Sequence, residues 1–507
     1  MDTKARLALS LFALCALTAC GDNPDELFQK AQQSFAVQDF QGARGTLIAA
    51  LAEKPADPAM LTLLVRSQIG LGDVEGAERS LDRLAQKDVP RATMQRLKAH
   101  VSLLKGDPQG AIGLLGNDCT TEAWLIRAEA NVSLGDDASA REAFERGMET
   151  GNDMALAASY ARFALRHDNV VLARKIVQRM KAISSDAFET LALGAAVTAA
   201  QGRTDEAISA YRLVIEKHSQ RVEPYLSLAY LLDAQGKLDE ASKLVTDAEK
   251  LDPGNAEAEE LKYLLLAEKG EWEKIRIDLQ SRESSLDPTS GLGLRYAEAL
   301  LRLGFAQQAR MMFKRAALLL PGNPYTQMML GEAQLASGDP DGAWQTLKPL
   351  AASTLARPEV LESAEKAARV SGAPEADTLR ARLDPAKLKN VMTYVERGDA
   401  AIMRQDWRAA IDVYGKLLQR GEDPEVLKRL ALASSGLGRP QEAIRYADRA
   451  LACAPDNSDY LYLAGSIRLK ANQDLSKALQ LLSAAASGDP RNPVIAQDLK
   501  KAEAAAG

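Results

Sequence analysis

Residues 222–255 read VEPYLSLAYLLDAQGKLDEASKLVTDAEKLDPGN. Tyr225, Leu228, Ala229 and Leu232 recur at helical spacing and form one apolar stripe. After Gly236, a second stripe follows at Leu238, Ala241, Leu244, Val245 and Ala248. Pro253-Gly254-Asn255 ends it, because proline cannot continue a helix and the next two residues favour a turn. Ala229 and Ala241 are small enough for the two helices to approach closely. Neither helix can bury its stripe alone, so the unit requires a neighbour on each side.

This stretch resembles a tetratricopeptide repeat (TPR). The resemblance is carried by Tyr225, Leu228, Ala229, Gly236, Ala241, Ala248 and Pro253 at the family's fourth, seventh, eighth, fifteenth, twentieth, twenty-seventh and thirty-second places. It implies an all-α superhelical solenoid of helix-turn-helix units whose role is to bind partners. Similar units recur along the chain. One opens near Pro24 with Phe28, Ala31 and Phe35 facing Ala43, Leu47 and Ala50. Another carries Trp124, Ala128, Gly135, Ala140 and Phe144, and a weaker one has Asp168 where glycine is usual. Tyr296, Ala297, Gly304, Ala309 and Phe313 mark a well-preserved copy, followed by Leu330, Gly331, Gly338, Ala343 and Leu347. The pattern predicts about 13–14 repeats.

The period blurs after Pro358, where Pro374 and Pro385 punctuate one worn helix pair. It resumes with Gly398, Trp407, Ala410 and Tyr414 and continues past Leu463 and Gly465. The expected organisation is a first array over 24–357, a degenerate helical joint over 358–390, a second array over 391–492 and a capping helix over 493–507. A polar last helix is what an open-ended array needs.

Composition agrees with a repeat array. Of 507 residues, 46% are apolar but only 5% aromatic, which suits helix pairs packed on Ala and Leu. Lys and Arg number 63 against 69 Asp and Glu, a formal charge of −6 with no basic run, so no nucleic-acid partner is expected.

The N-terminus reads as a targeting segment. Lys4 and Arg6 precede the apolar run from Leu7 to Ala16, about ten residues and too short for a comfortable bilayer span. Leu17-Thr18-Ala19-Cys20 resembles the bacterial lipoprotein signal box. The resemblance implies removal of residues 1–19, lipid on Cys20 and acylation of its new amino group, with residues 20–23 as a tether. Two or three acyl chains would anchor the protein stably. Gly21 rather than aspartate follows the cysteine, which by analogy with enteric lipoproteins implies the outer membrane, facing the periplasm, rather than the inner membrane. Cys119 and Cys453 lie about ten repeats apart, beyond the ~7 Å that a disulfide allows, and are expected to be buried near helix ends.

No catalytic constellation emerges. His100, His167 and His218 fall in different repeats, and the chain contains no HExxH, phosphate loop or Gly-x-Ser-x-Gly. No enzyme activity, cofactor or metal is expected. In the TPR family the concave face is lined by each first helix at its second, fifth, ninth, twelfth and thirteenth places. Carried over, that face offers Leu226, Tyr230 and Asp233, then Tyr325, Met328, Glu332 and Leu335, then Met392, Val395, Asp399, Ile402 and Met403. Methionine and tyrosine suit adaptable protein contacts. The Lys/Asn/Arg clamp that some TPR proteins use for a C-terminal carboxylate is not recognisable.

A narrower resemblance rests on ELFQKAQQSFAVQDFQGARGTLIAALAEKPAD at residues 26–57, directly after the signal box. It is similar to the start of TPR lipoproteins found with exosortase (PEP-CTERM) and exopolysaccharide systems. That implies a non-enzymatic scaffold for envelope proteins, tethered to the membrane through Cys20, in polysaccharide export or envelope assembly. The alternative class is a lipoprotein regulator of a peptidoglycan or polysaccharide enzyme.

Overall fold

A computed structural model describes residues 23–36, 39–419 and 421–506. Cys20 and the targeting segment lie outside these residues. Among the described residues, 29 α-helices and one 3₁₀ turn follow one another with no strand, the all-α array that the periodicity predicts.

Local signals set the helix ends. Asp73, Asp136 and Asp339 cap their helices by accepting N–H bonds from Gly76, Ser139 and Gly342 at 2.9–3.0 Å. Pro108, Pro324, Pro340 and Pro424 stand at the first helical turn, where the missing N–H is harmless. The turn inside most pairs needs one residue in the left-handed region. Gly236 supplies it between Glu223–Asp233 and Leu238–Leu251, with φ 71°. Asp168, Gln405 and Asn472 fill the same place with φ of 53°, 57° and 52°. Asp and Asn tolerate this region better than other side chains, so the weaker repeat at Asp168 keeps its geometry.

Between paired helices, small residues receive large ones. Gly331 lies under Leu347: a Cβ at 331 would stand 2.5 Å from Leu347 Cγ. Gly398 lies under Tyr414 and Gly465 under Leu482 in the same way.

The chain divides into two compact units, one ending at Leu232 and one starting at Asp233. In the first, the leading helices of successive pairs pack on one another: Pro24–Ala36, Pro58–Gly70, Arg91–Leu104, Thr121–Leu134, Met154–Arg166 and Phe188–Ala200. Their following helices make no comparable contact with each other. The stack therefore bends locally with its leading helices inside. Phe144, Tyr160, Phe163 and Met180 form part of the core between pairs.

The second unit starts the same way. Ala256–Glu268, Gly291–Arg302, Pro324–Ala336 and Pro358–Ser371 pack in succession. The next step differs. The second helix of that pair, Ala376–Arg382, has only 7 residues, and the 19-residue helix Pro385–Met403 does not stack on Pro358–Ser371. The expected joint thus lies inside the second unit, and one continuous helix runs across position 390.

Beyond this corner the chain runs back beside the preceding repeats. The buried Asp423 carboxylate accepts Ser353 Oγ at 3.1 Å, Thr354 Oγ1 at 2.8 Å and the Thr354 N–H. The same carboxylate caps its own helix through Glu425 and Val426 N–H at 2.9 and 3.2 Å. Leu355 joins the core of Ala401, Tyr414, Leu417, Val426 and Leu430. One repeat earlier, a Cβ at Gly322 would come 3.3 Å from Asp459 Oδ1. One earlier still, Thr289 N–H and O–H hold the Asp287 carboxyl below its usual range, and the Arg491 charge adds to this. Loops 353 and 322 thus meet 423 and 459 in reverse order, and the Arg491 charge acts at Asp287.

The cysteine expectation is corrected: Cys119 and Cys453 are both exposed. Cys119 sits in the loop before Thr121–Leu134. Cys453 falls one residue short of the next stripe place after Ala443, Ala447 and Ala450, which Ala454 takes instead.

Candidate functional site

The inner face carries rows of polar side chains at matching places in successive leading helices. In the first unit, Arg66 Nη2 reaches both Glu122 oxygens at 3.0 and 3.1 Å. Arg96 bridges Glu122 at 2.8 Å and Asp118 at 2.7 Å. His100 Nε2 stands 3.8 Å from Glu129, which accepts Ser159 Oγ at 3.2 Å, and Arg162 pairs with the buried Glu189. Burial raises the Glu129 carboxyl and lowers the His100 imidazole, since each charged form loses water.

The second unit repeats the device with other residues. Glu298 is buried and engages Arg295 at 3.2 Å, Arg302 at 3.4 Å and the Tyr325 hydroxyl at 2.8 Å. Arg302 also approaches Glu332 at 3.6 Å, and Glu332 accepts Ser363 Oγ at 2.9 Å. Burial, and then the Glu298 charge, push the Tyr325 phenol well above its usual range. After the corner, Asp399 takes the Tyr414 hydroxyl and Arg429 at 3.3 Å. Arg429 holds Glu425 at 3.0 Å, Glu425 accepts Tyr460 at 2.9 Å, and Asp498 accepts Tyr462 at 2.9 Å.

Each partly exposed pair contributes about 0–1 kcal/mol, so the rows matter less for stability than for what they present. They offer a ligand a strip of fixed donors and acceptors, with charges already balanced by neighbours. Among the described residues no group of three His, Cys, Asp or Glu side chains could hold a metal ion, and no helix is long and apolar enough to cross a membrane.

The residues expected on the concave face come to different places. Tyr325, Glu332 and Asp399 join the polar rows. Tyr230 and Met403 are exposed, Met403 to 81%. Asp233 faces Glu268, whose carboxyl is raised by burial and then by the Asp233 hydrogen bond, while the other Asp233 oxygen is buried without a partner. Leu226 is a correction: it is buried, at 3% exposure, because this side of Glu223–Asp233 packs into the core. Met328, Leu335, Val395 and Ile402 are half-buried against core clusters, and Met392 lines a cavity at the corner. Sequence reasoning missed Glu298, Glu129 and Arg429. Their signal was a complementary polar residue about one repeat away: Glu298 with Tyr325, Glu129 with Ser159, Arg429 with Asp399.

Tetratricopeptide-repeat family profiles match residues 34–101, 199–265, 395–458 and 428–493. No curated protein sequence matches the chain. A chain of the crystal structure of the APC/C hetero-tetramer Cut9–Hcn1 is 17% identical over 95% of this chain and 97% of that one, with a TM-score of 0.38. A tetratricopeptide repeat protein from Parabacteroides merdae ATCC 43184 is 19% identical over 48% of this chain and 98% of its own, with a TM-score of 0.35. The matched stretches fit tetratricopeptide-repeat profiles and the helix pairs between them alternate in the same way, so the chain has an all-α tetratricopeptide-repeat fold.

Proposed function

We propose that this protein is a non-enzymatic scaffold that gathers envelope proteins along the inner faces of its repeats. Lipid on Cys20 would hold it to the membrane, facing the periplasm, in support of polysaccharide export or envelope assembly. The observation that carries the scaffold reading is the set of polar rows, linked from one leading helix to the next by Arg96–Glu122, Tyr325–Glu298 and Arg429–Asp399. Repeat arrays use such extended inner surfaces for binding. The lipid reading is supported by Leu17-Thr18-Ala19-Cys20, and the pathway by the likeness of residues 26–57 to TPR lipoproteins of exopolysaccharide systems.

The test is in-cell photo-crosslinking from Tyr230 and Met403, with exposed Val171 on a following helix as the control position. Tyr230 and Met403 should capture polysaccharide export or envelope assembly proteins, and Cys20→Ser should lose both the capture and the membrane fractionation. Capture from Val171 alone would overturn the inner-face reading. A Cys20→Ser form that still takes up labelled fatty acid would overturn the anchor.

A further inference from the structure

The corner in the second unit leaves space that regular steps fill. Second helices such as Ala306–Leu319 have 14 residues, and Ala376–Arg382 has 7. At 1.5 Å per residue the shortfall is about 10 Å of helix. Pro385–Met403 does not close the gap: its Leu388 packs against the core of Pro358–Ser371, but the two helices do not stack along their lengths as the earlier leading helices do. The result is a cavity of about 500 Å³. That volume lies inside the range of about 300–1,000 Å³ typical of small-molecule sites.

Its walls are mixed in a particular way. Leu361, Leu388, Val391, Met392 and Leu417 make them mainly apolar. The charged side chains lining it are Arg382 and Lys387, and no carboxylate does, although the whole chain is acidic. Arg382 is fixed by donating to Ala351 O and Ser353 O, so its charge stays at the wall. Burial lowers the Arg382 pKa and the Asp423 charge opposes this. Lys387 is exposed at the mouth, beside a second cleft that holds Glu365, Asp377 and Asp384. Those acids are engaged. Glu365 pairs with Arg369 and Arg380, Asp377 lies 3.7 Å from Arg369, and Asp384 accepts the Ala386 and Lys387 N–H groups.

We infer that this cavity binds an alkyl carboxylate. The chain lies against Leu361, Val391, Met392 and Leu417, and the carboxylate sits between Lys387 and Arg382. Charge complementarity decides the head group: a cation would meet two like charges in an apolar wall, and a neutral alcohol would bring no charge to answer Lys387. The site is independent of the inner-face reading, so either can fail alone.

The test is calorimetric titration of the intact protein with laurate below its micelle concentration. Dodecanol and dodecyltrimethylammonium serve as neutral and cationic probes of equal chain length. Laurate should bind once per chain, and dodecanol at least about tenfold more weakly. Met392→Trp, which fills the cavity, should abolish binding. Lys387→Gln, on an exposed side chain that folding does not need, should weaken laurate about fivefold and leave dodecanol unchanged. Equal binding of laurate and dodecanol, tighter binding of the cationic probe, or laurate binding that survives Lys387→Gln unchanged would each overturn the proposal.

Discussion

Two consecutive steps in the second unit make an instructive pair. From Pro324–Ala336 to Pro358–Ser371, the leading helices pack directly and Trp344 and Leu347 of the intervening helix fill the space between. From Pro358–Ser371 to Pro385–Met403, the intervening helix is half as long and the leading helices touch only near Leu388 instead of stacking. The first step is held by a continuous apolar stripe. The second is held across 69–70 residues by the Asp423 carboxylate and by Leu355 inserted into a distant core. Where the repeat is intact, neighbours in sequence set the geometry. Where it is worn, a non-local contact must set it.

Removing the polar contact should have the largest effect. Asp423→Ala strips the acceptor from Ser353 and Thr354 as well as the helix cap at Glu425 and Val426. Several part-buried donors and the buried Val426 N–H lose their partner at once, so the expected loss is about 3 kcal/mol. Asp339→Ala, which removes a cap and the partly exposed Arg310 ion pair in the regular stack, should lose about 1–2 kcal/mol. Urea titration of both variants measures the contrast, and equal losses would show that Asp423 is merely a cap. Small-angle scattering should also show Asp423→Ala alone becoming more extended.

Overpacking the regular step comes next. Gly331→Leu places side-chain atoms where Leu347 already stands, at an expected cost of about 2 kcal/mol. Because 331 lies in the intact stack, amide exchange should quicken in Pro324–Ala352 before it does in Pro385–Met403. An unchanged melting temperature would break the assigned repeat register.

The smallest effect is expected from pH in the first unit. The His100 imidazole has a folded pKa below its ordinary 6.5, so its stabilising contribution is present above 6.5 and is lost as pH falls toward the folded value. Glu129 acts oppositely: its raised carboxyl pKa favours the fold below the ordinary 4.5, and this is lost as pH rises through the folded value. His100→Gln should therefore flatten the fall in stability between pH 7 and 5. Denaturant midpoints at several pH values check this, and an identical slope in the variant would remove His100 from the account.

Much of the architecture was legible because helix pairs are local. Spacings such as Tyr225–Leu228–Ala229–Leu232 and turns such as Gly236 act within a few residues, and each repeat needs only its neighbours to bury its stripe. Even Asp168 announced itself as a residue in a glycine's place. The inner face was legible only in part. Place numbers within a repeat identified Tyr325, Glu332 and Asp399, but they could not tell that Leu226 turns into the core while Met403 stands open. Those outcomes depend on how each helix rotates against the next, which side-chain volumes on both settle together. The proline punctuation after 358 marked a change of regime by itself. That the chain then doubles back, with Asp423 closing on Ser353 and Thr354 and a cavity left in the corner, was decided only in three dimensions. A contact between residues 70 apart leaves no periodic trace in the sequence, because nothing local requires either partner.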